Sequence, residues 1–112
     1  MDVLDTNDGG LRRLTHEHPK VLAKFTSTRD CAACELLAPH LTQFAADPAY
    51  ADITFLRLDS DENPVARQLM NERAAPFFVS YYQGRLLECD TLTNQAQVRE
   101  QLDRLRRYAA TH

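Results

Sequence analysis

The chain has 112 residues, 44% of them hydrophobic and 26% charged, with only 3 Gly and 5 Pro. That length and balance fit a single domain over residues 1–112, and they exclude collagen-like, low-complexity and wholly disordered classes. Lys and Arg number 13 against 16 Asp and Glu, a net charge of −3 that provides no positive field to gather nucleic acid, and three cysteines are too few for a secreted disulfide framework.

The start Met1-Asp2-Val3-Leu4-Asp5 is acidic and polar, without the basic and apolar stretches of a secretory signal, so the expected setting is the cytoplasm. The longest strongly apolar run, 74–79, contains Pro76 and is far shorter than the ~20 residues that span a bilayer, so no membrane segment is expected. A short strand is expected near Val3. A helix follows over 8–17, with Asn7 or Asp8 as its cap and Leu11 and Leu14 on its buried face. Lys20–Thr26 is short, rich in β-formers and apolar on both faces, which reads as a central strand. Cys34, Leu37, Leu41 and Phe44 then recur at helical spacing over 31–46, with Pro39 inside to kink the helix.

Asp47-Pro48 ends that helix, and 53–58 forms the next strand. Asp61-Glu62-Asn63-Pro64 predicts a helix start, with Asn63 as cap, Pro64 at the first helical position, and Val65, Leu69 and Met70 on the apolar side. Phe77–Tyr82 and 85–89 are strand-like runs joined by Gln83-Gly84, the signature of an antiparallel hairpin. Val98, Leu102, Leu105 and Tyr108 mark a closing amphipathic helix. This order predicts an α/β fold in which a mixed central β-sheet is flanked by helices on both faces.

The chemistry concentrates at Cys31-Ala32-Ala33-Cys34. A thiolate at Cys31 sits at a strand-to-helix junction, where free backbone N–H groups and the positive helix end favour the anion. Cys34, three residues on, shares one face of the first turn, within reach of a disulfide, and the small Ala32 and Ala33 are expected to leave both sulfurs accessible. Cys31 would attack a partner's disulfide and Cys34 would displace the reduced partner, with no cofactor beyond the pair itself. Two alternatives use the same residues: a zinc site completed by Cys89 and His40, or two cysteines serving as small buried hydrophobes. Neither Cys89 nor His40 lies in a second ligand motif, so no metal is expected, and Cys89 reads as a space-filling strand residue. His16 and His18 read as solvated. Arg99, Arg104, Arg106 and Arg107 interleave with Glu100 and Asp103, the pattern of a solvated helix face rather than of a nucleic-acid site.

An ordered set of features resembles the thioredoxin family over residues 19–108: the strand Val21-Leu22-Ala23-Lys24-Phe25, the CAAC motif, Pro39, the run LDSDENP at 58–64, Ala75-Pro76 before a strand, and Gln83-Gly84. The resemblance implies a thioredoxin fold, and exchange of disulfides with protein substrates, often with an NADPH-linked reductase as electron donor; a monomer is expected. It implies that Cys31 is the nucleophile, Cys34 the resolving thiol, Pro76 cis, and Ala75 the backbone that pairs with substrate. A thioredoxin-fold binding or scaffold module with little redox turnover is the rival reading. Several positions depart from the family pattern. Ala32-Ala33 replaces Gly-Pro, Asp30 replaces a tryptophan, Leu92 stands for a groove glycine, and the loop 26–30 is one residue longer. Lys24 stands where a buried acid is usual, with Arg57 for the partnering lysine, although the longer loop leaves Phe25 as the other occupant of the acid's position. Lys24 and Arg57 would favour the thiolate, whereas Asp30 and Glu35 would oppose it. Equally, Lys24 could extend to the surface and Arg57 pair with an acid such as Asp59.

Overall fold

A computed structural model describes residues 2–29 and 31–108. Its elements run β1 (Leu4–Asp5), α1 (Asp8–Glu17), β2 (Lys20–Thr26), α2 (Ala32–Ala46), β3 (Ile53–Asp59), α3 (Pro64–Met70), β4 (Phe77–Tyr82), β5 (Arg85–Thr91) and α4 (Gln95–Arg107), with 3₁₀ turns at Pro48–Tyr50 and Ser60–Glu62. The sheet order is β1-β3-β2-β4-β5. β3 pairs in parallel with β1 and β2, whereas β4 lies antiparallel to both β2 and β5. β2 is therefore the central strand that its two-faced apolar sequence predicts.

Alternation along β2 divides the core. Val21, Ala23 and Phe25 pack with Leu11, Leu14, Ala66 and Met70 of α1 and α3, while Leu22 packs on the opposite face with residues of α2 and α4, among them Leu37, Leu41, Phe44, Val98, Leu102 and Leu105. Helices thus cover both faces of a mixed sheet. The hairpin turns at Gln83 and Gly84, with φ of +49° and +82°, and a Cβ at Gly84 would meet the His16 ring at 3.1 Å. Both facts call for glycine there. Among the described residues no helix is long and apolar enough to cross a membrane.

Two local expectations change. Asn63 precedes α3 without a side-chain cap bond. Its Oδ1 instead accepts from the Asp8 N–H at 2.9 Å, and the Asp8 carboxylate accepts from the Val65 and Ala66 N–H groups at 2.9 and 3.0 Å. A residue 57 positions away thus satisfies the first turn of α3. Val65 is 52% exposed, because Ala66 and Met70, four residues apart, are the positions that α3 buries. Pro39 lies inside α2, as its sequence position predicts.

Candidate active site

Ser27 and Thr28 follow the end of β2, and the turn after the neighbouring strand β3 holds them. The Asp61 carboxylate accepts from the Ser27 hydroxyl at 2.9 Å and from the Thr28 N–H and hydroxyl at 3.1 and 3.2 Å. These bonds, Ser27 first, hold its pKa below the ordinary carboxylate value. Asp61 carries no site signal in the sequence beyond the acidic turn before Pro64; its partners in space are Ser27 and Thr28, shortly before Cys31.

Cys31 is the N-cap of α2, and the Cys34 N–H donates to its Sγ at 3.2 Å. A sulfur anion at that point would receive one of the otherwise unpaired amides of the first turn together with the positive helix end. Cys31 and Cys34 are joined as a disulfide, with Cα atoms 5.3 Å apart. The two sulfurs are not equally accessible as expected. Cys31 is half-buried, whereas Cys34 is only 6% exposed, because the helical step from 31 to 34 turns the second side chain inward with Leu37 and Leu41. An incoming sulfur therefore meets Cys31. Ser27, Thr28, Ala32 and Glu35 line a polar cleft of about 280 Å³ beside it, which places Glu35 at the rim of the site.

Beneath the pair, Lys24 is 1% exposed, and its Nζ donates to the Cys34 carbonyl oxygen at 2.9 Å. It does not extend to the surface. Phe25 belongs to the opposite core face, so of the two residues it is Lys24 that lies beneath the pair. Burial, and secondarily the charge of Arg57, push the Lys24 pKa down to about 8. Arg57 is the cross-strand neighbour of Lys24, but its guanidinium turns to Asp5 of β1, with contacts of 2.6 and 3.0 Å. Arg57 thus pairs with an acid, as one reading expected, and that acid is Asp5 rather than Asp59. The edge position of β1 brings Asp5 beside Arg57 in the register, and the bond raises the pKa of Arg57 and lowers that of Asp5. Of the two expected cations, only Lys24 is buried against the cysteine turn. Asp30 lies outside the described residues.

The Ala75–Pro76 bond is cis, Ala75 is half-buried and Pro76 is buried. The Leu92 N–H donates to the Pro76 carbonyl at 3.2 Å, so Leu92 adjoins this bend. Cys89 is a free cysteine on β5, cross-strand from Val79 and packed against the core on the α1 and α3 face. Among the described residues no group of three or more His, Cys, Asp or Glu side chains gathers to hold a metal, so Cys89 and His40 do not complete a four-ligand set with the pair.

This geometry agrees with what the chain is similar to. A family model described as thioredoxin matches residues 6–106. Mitochondrial thioredoxin-3 of Saccharomyces cerevisiae is 33% identical over 82 residues, covering 73% of this chain and 62% of that relative's length. The oxidised form of that yeast protein superposes with a TM-score of 0.81 at 27% identity, covering 92% of this chain and 95% of the solved one. Thioredoxin from Malassezia sympodialis superposes with a TM-score of 0.83 at 20% identity over 95% of each chain, which speaks to the fold. The half-exposed cysteine on a helix N-terminus, its buried partner and the cis bend thus have their family: this chain belongs to the thioredoxins, a family of thiol–disulfide oxidoreductases.

Proposed function

We propose that this protein exchanges disulfides with protein substrates as a monomer, Cys31 being the nucleophile and Cys34 the resolving thiol. The Cys31 thiolate attacks one sulfur of the substrate disulfide. That bond breaks, and its electron pair leaves on the other substrate sulfur, which takes a proton. Cys34 then loses its proton and attacks Cys31 Sγ, forming the Cys31–Cys34 bond and releasing the second substrate sulfur as thiolate. Two electrons pass to the substrate, with no cofactor beyond the pair. Ala75 supplies backbone for an extended substrate segment at the cis-Pro76 bend, and an NADPH-linked reductase restores the dithiol. A cytoplasmic setting accompanies this reading, supported by the odd cysteine count and the free Cys89.

The observation that carries the proposal is the asymmetry of the pair: one sulfur reachable at a helix N-terminus, its partner shielded beneath it and bonded to it. Insulin-disulfide reduction tests it. Cys31→Ser is expected to abolish turnover, and Cys34→Ser to stop after one event with substrate covalently held on Cys31. Turnover that survives Cys31→Ser, or no turnover by the wild type, would overturn the proposal and leave a binding module.

A further inference from the structure

The mechanism above makes no use of a lysine that the fold has buried. Lys24 Nζ bonds the Cys34 carbonyl at 2.9 Å, and among the described residues no carboxylate forms an ion pair with it. From β3 its neighbour is Arg57, which Asp5 of β1 engages; from β4 it is the apolar Phe78. From α4 the neutral Gln101 reaches the Phe78 carbonyl. From α2 come Cys34 itself and the exposed Glu35 next in the chain. With the disulfide closed, the cysteine pair carries no charge and offers this amine no counter-ion.

Opening the disulfide changes that. The carbonyl oxygen and sulfur of one residue are four bonds apart, so an ammonium at Lys24 lies within about 8 Å of the Cys34 sulfur and within about 10 Å of the Cys31 sulfur bonded to it. A pair of opposite unit charges at that separation, with an effective dielectric constant of about 20, shifts an equilibrium by more than tenfold.

We infer that Lys24 is the counter-charge of the reduced pair, so that its protonation and the redox state of Cys31–Cys34 are coupled. This rests on the thiol–disulfide reading and deepens it: a dithiol donor adds two electrons to the S–S bond and is itself oxidised to a disulfide, Cys34 takes a proton as the bond breaks, Cys31 remains a thiolate over the first turn of α2, and Lys24 holds its proton more firmly beneath it. The proton comes from solvent and returns there when the disulfide closes. Lys24 acts through the helix turn as a positioning residue and does not exchange sulfur. The consequence is a reduced state favoured by a cation where an acid is usual, hence a more oxidising pair.

The test is an NMR titration of the Lys24 side chain in the disulfide form and in the chemically reduced form of the full chain. The midpoint is expected to rise by about one unit on reduction, a tenfold tighter proton. By linkage, the glutathione redox equilibrium of wild type should be about tenfold more oxidising than that of Lys24→Met, about 30 mV for two electrons. That gap should be widest between the titrations of the thiolate and of Lys24, and close as pH rises beyond the lysine. An unchanged Lys24 midpoint, or a Lys24→Met potential equal to that of wild type, would overturn the inference. The titration needs no variant, so a misfolded Lys24→Met leaves the question decidable. Absence of insulin turnover would defeat the exchange reading without moving either of these readouts.

Discussion

Lys24 also sets a stability that depends on pH. In the unfolded chain its amine keeps a proton up to about 10.5, whereas burial lets the folded amine release it near about 8. Below the folded value both states are protonated and folding carries the full burden of burying a cation; between the two values the unfolded state binds more protons, so stability rises with pH. The contribution approaches about 3 kcal/mol, at 1.36 kcal/mol per unit. Denaturant midpoints of the oxidised protein should therefore climb from pH 8 toward pH 10, and Lys24→Met should flatten that rise and be the more stable protein at pH 7. Tyr50 and Tyr81, both pushed up to about 12 by burial first of all, act in the opposite sense above pH 10, where the unfolded tyrosines ionise and the folded ones do not. They are common to both proteins, so the comparison isolates the lysine. The ion pair Arg57–Asp5 differs in kind: its side chains are 37% and 72% exposed, so Asp5→Ala should cost no more than about 1 kcal/mol.

At the scale of elements, the helix ends are held in two ways. The N-terminus of α4 is capped locally, with the Gln97 N–H donating to Asn94 at 2.9 Å, and Asn94→Ala should cost about 1 kcal/mol. α3 is capped from outside by Asp8, the first residue of α1. Asp8→Ala should exceed the Asn94 variant, reaching about 2 kcal/mol, because it leaves two amides of α3 without their acceptor and loosens the docking of α1 on α3. Urea unfolding of the two variants side by side checks the ranking; equal losses would mean that solvent replaces the carboxylate. Asp8 sits where a capping residue for its own helix was expected, and residue patterns do not show that its carboxylate serves another helix. The cap of α1 was legible, because Asn7 acts on an amide three residues away.

For the whole molecule, the sheet divides the interior into two cores, and the cysteine pair stands over one of them. Leu102 is fully buried in the core shared by α2 and α4 with β2, β3 and β4. Leu102→Ala should destabilise by roughly 2–5 kcal/mol, read from denaturant midpoints, while leaving the Cys31 turn intact. Retained insulin reduction per folded molecule would show that this core supports the site only through global stability. The surface of α4 contributes less. Arg104 pairs with Glu88 of β5 at 2.9 Å and Arg99 lies over the Phe44 ring at 5.2 Å, so two cations of the basic cluster are engaged within the protein.

The order of strands and helices, the hairpin at Gln83-Gly84 and the start of α2 at the cysteines were all determined by sequence alone, because each depends on interactions within a few residues: alternation, helical spacing, a cap, a turn with positive φ. The chemical identity of the pair was legible for the same reason, since Cys31 and Cys34 are one helical turn apart. Tertiary structure decided which charges the pair senses. Arg57 had two acids to choose between, and the placement of β1 beside β3 selected Asp5, 52 residues away, over Asp59. Lys24 had a surface route and a buried one; α2 packing over the sheet left it the Cys34 carbonyl. That same packing shielded Cys34 and left Cys31 open. Such choices depend on which elements become neighbours, and in a sheet that information resides in strand order and helix placement rather than in any local run of residues.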